Sequence, residues 1–318
     1  MTKTVRISAF VITFNEEQDI EKCLQSLSWC DELFVVDSGS VDRTREIAAK
    51  YAQVHIHAWE GFSPQKNFGA SLATGDWVLQ IDADEQVPGA LRDEILATIQ
   101  PDRSPCDGYH LPRINHWLGQ PIRYGGWYPD YGLRLFKRGK ATCVGDSHET
   151  FVVDGPVGRL QQPLLHFSYW SVRSHVERAV LRSAPLDARE LLRNGGQLVW
   201  LPPKGLVKAI GRQLWSGPRT PLAFKQLYKT QVKNRLEFVW LLPFFPILRF
   251  VQRYIVRQGF RDGAAGFWIA VLSAVYDAVR CALVWEQYAV RAGKVTTRPH
   301  LTRIEPSYVA ESKAAPNP

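Results

Sequence analysis

Short, mostly apolar runs alternate with amphipathic stretches along the first hundred residues of the chain. These runs occupy residues 7–12, 33–36, 54–58 and 77–81, and each is too short for a typical helix. They predict strands that are buried on both faces of a parallel sheet, the third being the weakest. The alternation of strands and helices predicts an α/β fold whose parallel strands are joined by right-handed crossovers.

Four amphipathic stretches predict helices between and after these strands. Asn15 is predicted to cap the first helix, because acidic residues follow it in the first turn, where the helix dipole favours them. Residues 42–51 predict the second helix and residues 88–99 the fourth. Ser63, followed by a proline, has the N-cap pattern of the third helix, which is predicted to run to residue 73.

Glycine, proline, tyrosine and tryptophan become dense between residues 101 and 170, a composition typical of long loops that carry function. Short strands are predicted at residues 133–137 and 150–153. Four aromatic residues of this region could stack on sugar rings, although a place in the core is the better expectation for any single one: Trp117, Tyr124, Trp127 and Tyr128.

Helical and apolar patterns dominate the rest of the chain. Ser171 is predicted to cap a helix that runs towards Arg182 and continues or repeats over residues 187–193. Apolar blocks at residues 238–248 and 263–276 fall short of the ~20 apolar residues that span a bilayer, which favours an interfacial or re-entrant hairpin over a buried helical subdomain. Basic residues flank the blocks and favour the membrane surface: Lys225, Lys229, Lys233, Arg235, Arg249, Arg253, Arg257 and Arg261.

Charge is distributed unevenly over the 318 residues. The net charge is +8, yet residues 201–318 alone hold 18 lysines and arginines against 6 acidic residues. Cations interleaved with tryptophans suit a nucleic acid or a membrane surface, and their position beside apolar blocks favours the membrane. The five cysteines form no zinc-like pattern, which fits a reducing compartment, and no signal-peptide pattern is visible at the N-terminus.

An acidic pair, Asp82 and Asp84, directly follows the fourth predicted strand. Ligands of parallel α/β sheets lie beyond the carboxyl ends of the strands, so the pair is expected at a ligand site. Two carboxylates at this spacing can hold Mg²⁺ or Mn²⁺, and the ion could neutralise a nucleotide diphosphate, although a turn or helix cap is the other interpretation. The absence of G-x-G-x-x-G after the first strand and of G-x-x-x-x-G-K-[ST] argues against a dinucleotide oxidoreductase and a P-loop NTPase.

Five motifs in chain order resemble those of the family 2 inverting glycosyltransferases. They occupy residues 13–17, 36–44, 65–67, 82–85 and 147–149. Three further stretches look like the bacterial lipopolysaccharide core glycosyltransferases of that family, of the β-1,4-glucosyltransferase type: residues 148–149, 163–166 and 259–266. The resemblance implies a GT-A fold, a Rossmann-like, mostly parallel sheet flanked by helices, followed here by a C-terminal helical membrane-associating region.

The resemblance also implies roles for residues that would bind the nucleotide sugar. Thr13, Phe14 and Glu16 would form the floor of the nucleotide pocket. Asp37 would accept a hydrogen bond from the uracil or the ribose, and Lys66 would lie near the diphosphate.

Metal and catalytic roles follow from the same resemblance. Asp82 would contact the ribose or a divalent cation, Mg²⁺ or Mn²⁺, and Asp84 would ligate that cation directly. His166 would bind the metal or the diphosphate, or else serve as a structural hydrogen-bonding residue. Glu149 would be the base that deprotonates the acceptor hydroxyl, with Asp146 as its rival.

These observations predict a metal-dependent inverting glycosyltransferase that moves a hexose, glucose being the first expectation, from a UDP-sugar to a lipid-linked glycan such as the lipopolysaccharide inner core. We expect it at the cytoplasmic side of the inner membrane, peripheral or monotopic, on anionic lipids and not on nucleic acid. Residues 1–100 and 101–185 would form the two parts of the GT-A domain, residues 186–298 a basic amphipathic helical region and residues 299–318 a polar tail. The alternatives are a polyprenyl-phosphate or other cell-envelope glycan glycosyltransferase, and a non-catalytic nucleotide-sugar-binding scaffold.

Arg134 and Lys137 could contact phosphate or be solvated strand residues.

Overall fold

The computed structural model describes residues 5–100, 104–145, 149–193 and 245–291. Asp146, the polar tail and most of the first apolar block lie outside the described residues. The chain divides into two compact units. The first, here called the sheet unit, comprises Met1–Arg123 and Trp127–Trp170, and the second, the helical unit, comprises Tyr124–Gly126 and Ser171–Pro318.

Half of the sheet unit is the parallel sheet that the apolar runs predict. Its strands are β1 (Ile7–Thr13), β2 (Glu32–Asp37), β3 (Gln53–Ile56) and β4 (Trp77–Asp82), in the order β3-β2-β1-β4. All three neighbouring pairs are parallel, so the carboxyl ends of the four strands lie at one edge. The α/β class expected from the sequence is confirmed.

The other half of the sheet is mixed. Its strands are β5 (Glu85–Gln86), β6 (Gly108–Trp117), β7 (Gln120–Pro121), β8 (Asp130–Lys137), β11 (Val157–Arg159) and β12 (Leu164–Tyr169). β8 runs antiparallel between β4 and β6, whereas β12 is parallel to β6 and antiparallel to β5. A separate antiparallel hairpin joins β9 (Ala141–Val144) to β10 (Thr150–Val153). The predicted strands at residues 133–137 and 150–153 are confirmed within β8 and β10.

The helices of the sheet unit are α1 (Ile20–Ser26), α2 (Thr44–Ala48), α3 (Phe62–Leu72) and α4 (Gly89–Thr98). The predicted cap of the first helix is wrong: α1 begins at Ile20, and Asn15 has a left-handed backbone with φ of 55°. The Asn15 side chain instead accepts a hydrogen bond from the Val41 N–H at 2.9 Å. Ser63 is likewise not the cap of α3, because the helix begins one residue earlier and the Ser63 hydroxyl donates to the Gly145 carbonyl.

Alternate residues of the central strand β1 face two separate apolar layers. Ala9 and Val11 belong to one cluster, together with Leu24 of α1, and Phe10 belongs to the other, where it stacks on Phe34 with ring centroids 5.8 Å apart. All of these side chains are buried. The strand is therefore apolar at nearly every position because both of its faces are covered.

α3 approaches the sheet closely at Gly69. A Cβ atom added there would lie 2.5 Å from Cδ2 and Cε2 of Phe10, so a larger residue has no space. This approach matters for the site described below, because Gln65 and Lys66 precede Gly69 by about one helical turn and are buried against the sheet edge.

The helical unit begins with the predicted cap. The Ser171 side chain accepts from the Ser174 N–H, and Ser174 reciprocates, forming a capping box. α5 (Val172–His175) continues through π-helical residues Val176–Ser183 into α6 (Ala184–Arg193). The later segment comprises α7 (Phe245–Val251), a π-helical turn (Gln252–Val256), a 3-10 turn (Gly259–Asp262) and α8 (Gly263–Arg291).

α8 corrects the expectation that the second apolar block is too short to cross a membrane. The helix has 29 residues and is long and apolar enough to span by length and composition, although a core helix can pass the same test. It continues past the predicted block because Asp277 and Arg280 do not end it. The Asp277 carboxylate is buried and lies 2.5 Å from Arg249 Nε and 2.8 Å from Arg280 Nη2.

Replacing Gly69 with alanine tests the close approach of α3. We expect Gly69→Ala to lower the free energy of unfolding by about 1–3 kcal/mol, because added volume strains a filled core. Gly89→Ala in α4 is the matched control, since the nearest atom to its added Cβ is Arg92 Nη2 at 3.9 Å. Alanine's higher helix propensity should leave that variant neutral or more stable by up to about 1 kcal/mol. Urea denaturation followed by circular dichroism measures both, and equal stabilities would contradict the packing.

Candidate active site

The acidic pair lies at the carboxyl edge of the parallel strands. Asp82 is the last residue of β4, and Asp84 lies in the short turn before β5. The Asp82 carboxylate accepts hydrogen bonds from Gln80 Nε2 at 2.8 Å and from Arg134 Nη2 at 2.5 Å. Burial raises the pKa of Asp82, but the charges of Arg134 and Lys66 outweigh that effect and hold the pKa well below its usual range. Asp82 is therefore a carboxylate at neutral pH.

Lys66 of α3 joins two carboxylates that are distant in sequence. Its Nζ lies 3.2 Å from Oδ1 of Asp82 and 3.1 Å from Oε1 of Glu149. The lysine side chain is only 4% exposed, so its charge is directed into this edge and not towards solvent. The structure thus brings together three residues for which the resemblance implies separate roles, at the diphosphate, at the ribose or metal, and at the acceptor hydroxyl.

His166 lies opposite Asp84. The register of β12 against β5 pairs His166 with Glu85, and the imidazole Nε2 lies 3.4 Å from Oδ2 of Asp84. The other ring nitrogen, Nδ1, lies 2.6 Å from Oδ1 of Asn115. An amide oxygen can only accept, so this contact assigns a proton to Nδ1 and directs Nε2 at the carboxylate.

The pair formed by Asp84 and His166 suits a divalent cation. A carboxylate oxygen and an imidazole nitrogen are ligands that Mn²⁺ and related ions accept, and their side chains are mostly buried. Among the residues that the structure describes, no group of three or more His, Cys, Asp and Glu side chains is placed to hold a metal ion. A cation at this pair would therefore complete its coordination with substrate oxygens and water. Burial lowers the pKa of His166, but Asp84 and Glu85 raise it more, so the imidazole is readily protonated in the absence of a metal.

A fully buried carboxylate lies behind the acidic pair. Glu85 accepts hydrogen bonds from the Asp82 N–H at 3.0 Å, from Arg134 Nη2 at 2.8 Å and from Arg113 Nη1 at 3.3 Å. Arg134 also donates to Gln80. These contacts hold the Asp82 backbone and side chain in one orientation.

Arg134 is not the solvated strand residue that was one of its two predictions. The residue is buried, and its guanidinium group pairs with Asp82 and Glu85. Lys137 lies further along β8 and pairs with Asp107 at 2.7 Å, away from this cluster. The sequence did not predict that Glu85 would hold Asp82 and Arg134, or that Asn115 would orient His166. The one available signal was a third acid, Glu85, directly after the acidic pair.

Asp37 closes the loop that follows β2. Its carboxylate is fully buried and accepts hydrogen bonds from the Thr13 hydroxyl at 3.0 Å and from the N–H groups of Gly39 and Ser40 at 3.0 and 2.8 Å. The Ser40 hydroxyl donates to it as well. Thr13 and Asp37 thus lie together, at paired positions of β1 and β2, and the loop donors occupy both carboxylate oxygens.

The loop after β1 carries Phe14 and Glu16, both half-buried. The Glu16 N–H donates to the Thr44 hydroxyl at 2.7 Å, which ties this loop to the segment after β2. α3 is tied to the same region, because Gln65 Nε2 donates to the Ser38 hydroxyl at 2.9 Å. The three segments that carry the predicted nucleotide contacts therefore meet at one edge of the sheet.

Removing the Arg134 charge tests how the site is held. We expect Arg134→Leu to lower the free energy of unfolding by about 3–5 kcal/mol, because it leaves the fully buried Glu85 and the partly buried Asp82 without their shared cation. Lys137→Leu on the same strand is the control, since its ion pair is partly exposed and should contribute about 1 kcal/mol or less. Chemical denaturation at neutral pH compares the two variants. Similar losses in both would contradict a special role for the buried arginine.

Comparison with known proteins agrees with this geometry. The model of the family described as Glycosyl transferase family 2 matches residues 8–122, which include Lys66, Asp82 and Asp84. The lipopolysaccharide core biosynthesis glycosyltransferase LpsC of Rhizobium meliloti is 28% identical over 301 residues, which cover 92% of this chain and 96% of that protein. An uncharacterized glycosyltransferase of Rickettsia conorii is 48% identical over 210 residues, 61% of this chain and 73% of that protein.

Solved structures give a weaker likeness. Glucosyl-3-phosphoglycerate synthase of Mycobacterium tuberculosis, in complex with Mn²⁺, UDP and glucosyl-3-phosphoglycerate, is 21% identical with a TM-score of 0.33, over 42% of this chain and 57% of that one. A likeness at that level supports no conclusion about the ligands of this chain. The family is shown instead by the identity to the Rickettsia protein over most of its length, with which the family model agrees. The chain is a glycosyltransferase and belongs to glycosyl transferase family 2.

Proposed function

We propose that this glycosyltransferase transfers a hexose, with glucose as the first candidate, from a UDP-sugar to a lipid-linked glycan, with inversion at the anomeric carbon. The observation that carries the proposal is the position of Lys66, within 3.2 Å of both Asp82 and Glu149. A buried cation between a donor-side and an acceptor-side carboxylate suits a reaction in which a diphosphate leaves and a hydroxyl is deprotonated. The likeness to LpsC over nearly its whole length supports the lipopolysaccharide inner core as acceptor.

On the donor side, the residues at the carboxyl edge would bind the nucleotide sugar. Asp84 and His166 would hold a Mn²⁺ or Mg²⁺ ion, which when bound supplies Lewis-acid stabilisation of the departing diphosphate. Lys66 would bind a diphosphate oxygen, and Asp82, fixed by Arg134, would contact the ribose or the cation. Phe14 and Glu16 would line the nucleoside pocket, and the buried Thr13 and Asp37 would support it through the loop that the Asp37 carboxylate binds.

On the acceptor side, Glu149 would act as the general base. Its carboxylate is held by Lys66 and remains about one-fifth exposed, so a hydroxyl group can reach it. As the acceptor oxygen attacks the anomeric carbon, its proton passes to Glu149, and the bond from that carbon to the UDP oxygen breaks on the opposite face. Inversion needs no covalent intermediate, so one base suffices.

The helical unit would bring the enzyme to its acceptor at the cytoplasmic side of the inner membrane. Its described part exposes large apolar side chains beside arginines, which suits a peripheral or monotopic protein on anionic lipids. The exposed side chains of its later segment include Ile247, Leu248, Ile255, Val256, Phe260, Phe267, Trp268 and Trp285.

Calorimetric titration tests the donor. Purified protein is titrated with UDP-glucose, UDP-galactose and UDP-N-acetylglucosamine, each with Mn²⁺ and with EDTA. We expect Mn²⁺-dependent binding of one sugar nucleotide, which would also name the sugar. Transfer assays with lipopolysaccharide inner core and with polyprenyl phosphate as acceptors then separate the proposed acceptor from its alternative. Folded protein that binds none of the three nucleotides would contradict a UDP-sugar donor.

Asp84→Ala tests the metal pair. We expect it to abolish the difference in UDP-glucose affinity between Mn²⁺ and EDTA, because one of two protein ligands is lost, and to reduce turnover by at least about a hundredfold. Asp93→Ala on α4 is the matched control, since Asp93 is exposed and pairs only with its neighbour Arg92 among the contacts described. Full activity in Asp84→Ala would reject the metal assignment.

Glu149→Gln tests the base. The amide keeps the shape of the side chain but cannot take a proton, so UDP-glucose affinity should stay within about threefold while transfer falls by about 10²–10⁴-fold. Calorimetry reports the first quantity and a radiolabelled-sugar transfer assay the second. If the variant transfers sugar normally, the base lies elsewhere, and Asp146→Asn is the next variant to measure.

A further inference from the structure

The helical unit holds a row of arginines at four-residue intervals: Arg249, Arg253, Arg257 and Arg261. The row runs from α7 through the π-helical turn to the 3-10 turn. The charges of Arg249 and Arg257 both act on Arg253, so these three members of the row concentrate positive charge in one place. Asp277 neutralises part of that charge, but its carboxylate is already shared between Arg249 and Arg280.

Arg253 is the most enclosed member of the row. Its Nη1 donates to the Gly125 carbonyl at 3.1 Å, whereas its Nε is buried and has no hydrogen-bond partner within the described part of the chain. Burial, together with the charges of Arg249 and Arg257, lowers the pKa of Arg253 to about 9. Burial and the charge of Arg253 also lower the pKa of the nearby His175 to about 4, so the histidine adds no positive charge at neutral pH. The guanidinium thus has an unused donor in a setting of like charge.

Arg257 flanks the same turn from the other side. Its carbonyl accepts from the Gly125 N–H at 2.9 Å, and a Cβ atom added to Gly126 would lie 2.5 Å from its Nη1. Both glycines have left-handed backbones, with φ of 66° and 79°. Residues 125 and 126 therefore contact both Arg253 and Arg257, and the two glycines add no side chain of their own.

Two guanidinium groups in such a setting suit a phosphate. A buried cation is costly unless an anion pairs with it, and planar guanidinium groups bind phosphate oxygens through paired, charge-assisted hydrogen bonds. A phosphate bound by the guanidinium groups of Arg253 and Arg257 would reduce the repulsion between these two side chains.

We propose that Arg253, Arg257 and the Gly125–Gly126 turn form a binding site for the phosphate group of an anionic lipid headgroup. The lipid is favoured over a free phosphate because three large apolar side chains of the same segment, Ile255, Val256 and Phe260, are 57%, 53% and 51% exposed. Apolar side chains that alternate with arginines suit the headgroup region, where the former enter the acyl boundary and the latter reach the phosphates. The inference rests on the membrane association proposed above and adds a specific site to it.

Vesicle flotation with full-length protein tests the site. Three vesicle compositions are compared: phosphatidylcholine alone, phosphatidylcholine with phosphatidylglycerol, and phosphatidylcholine with oleate at matched surface charge. Oleate is the essential control, because its carboxylate supplies charge without phosphate. We expect phosphatidylglycerol to be preferred over oleate by about tenfold or more, as paired guanidinium–phosphate bonds require. Equal binding to the two anionic vesicles would overturn the proposal and leave only general charge attraction.

Variants locate the preference. Arg253→Lys keeps the positive charge but loses the planar set of N–H donors that a guanidinium group offers to phosphate. Arg257→Gln removes the charge of a half-buried residue and leaves the hydrogen bond from Arg253 to the Gly125 carbonyl in place. Both should bring the phosphatidylglycerol-to-oleate ratio close to one. Arg261→Gln is the control: its guanidinium lies over the Tyr124 ring at 4.5 Å, and its loss should weaken binding to both vesicles about fivefold, as for one surface cation, with the ratio unchanged. An unchanged ratio in folded Arg257→Gln would overturn the site.

Competition with inorganic phosphate tests whether the site binds a lipid headgroup or free phosphate. At constant ionic strength it should compete with phosphatidylglycerol vesicles only weakly, because it lacks the apolar anchor. If it stabilises the protein against heat while vesicle binding shows no phosphate preference, the lipid assignment is overturned. Wild-type protein that binds Mn²⁺ and UDP-glucose but no vesicles would refute this inference and leave the proposed donor chemistry intact, whereas the reverse pattern would refute the donor chemistry alone.

Discussion

The buried guanidinium of Arg134 is the contact on which the candidate active site depends. It lies between the carboxylates of Asp82 and Glu85, and Lys66 faces Asp82 from the other side. Two carboxylates that contact the same guanidinium group, one of them fully buried, would repel each other strongly without that shared cation. Because that cation is part of the sheet itself, the orientation of Asp82 is set by the fold. Groups fixed in this way need little reorganisation when charge develops on a substrate, which is the basis of electrostatic catalysis.

Much of the parallel half of the sheet could be predicted because burial on both faces makes strands such as β1 and β4 almost continuously apolar. β5, β7 and β11 are only two or three residues long, too short to show any period, and β6 and β12 lie in a stretch whose glycines and aromatic residues indicate loops. The cap at Asn15 was wrong for a different reason. Its local sequence has the pattern of an N-cap, but the Asn15 side chain accepts a hydrogen bond from the N–H of Val41, 26 positions away. A tertiary contact of this kind cannot be seen in the local sequence.

The site was predictable to the extent that motifs carry it. Strand order brings the ends of β1, β2 and β4 to one edge, and the resemblance supplied Glu149 and His166 from the distant part of the chain. The cluster around Lys66 follows from those two sources together. The residues that hold this cluster in place could not be predicted in the same way. Arg134 donates a hydrogen bond to Glu85, 49 positions away, and Asn115 contacts His166, 51 positions away. A buried arginine and an exposed one look alike in a sequence, so the contacts of Arg134 with Asp82 and Glu85 could be found only from the structure.

The ion group formed by Asp277, Arg249 and Arg280 limits how α8 can meet a lipid phase. Asp277 is in the middle of the longest apolar helix described, and its partner Arg249 belongs to α7. Separating the two helices would leave the Arg249 guanidinium without its carboxylate partner in a medium that cannot solvate it, and Asp277 would keep Arg280 alone. In a lipid phase, α7 and α8 would therefore move as one body, and their depth would be limited by the level at which the arginine side chains still meet water. The depth at which α7 and α8 could lie in a membrane would then be determined by the charges of Asp277, Arg249 and Arg280, and not by the length of α8.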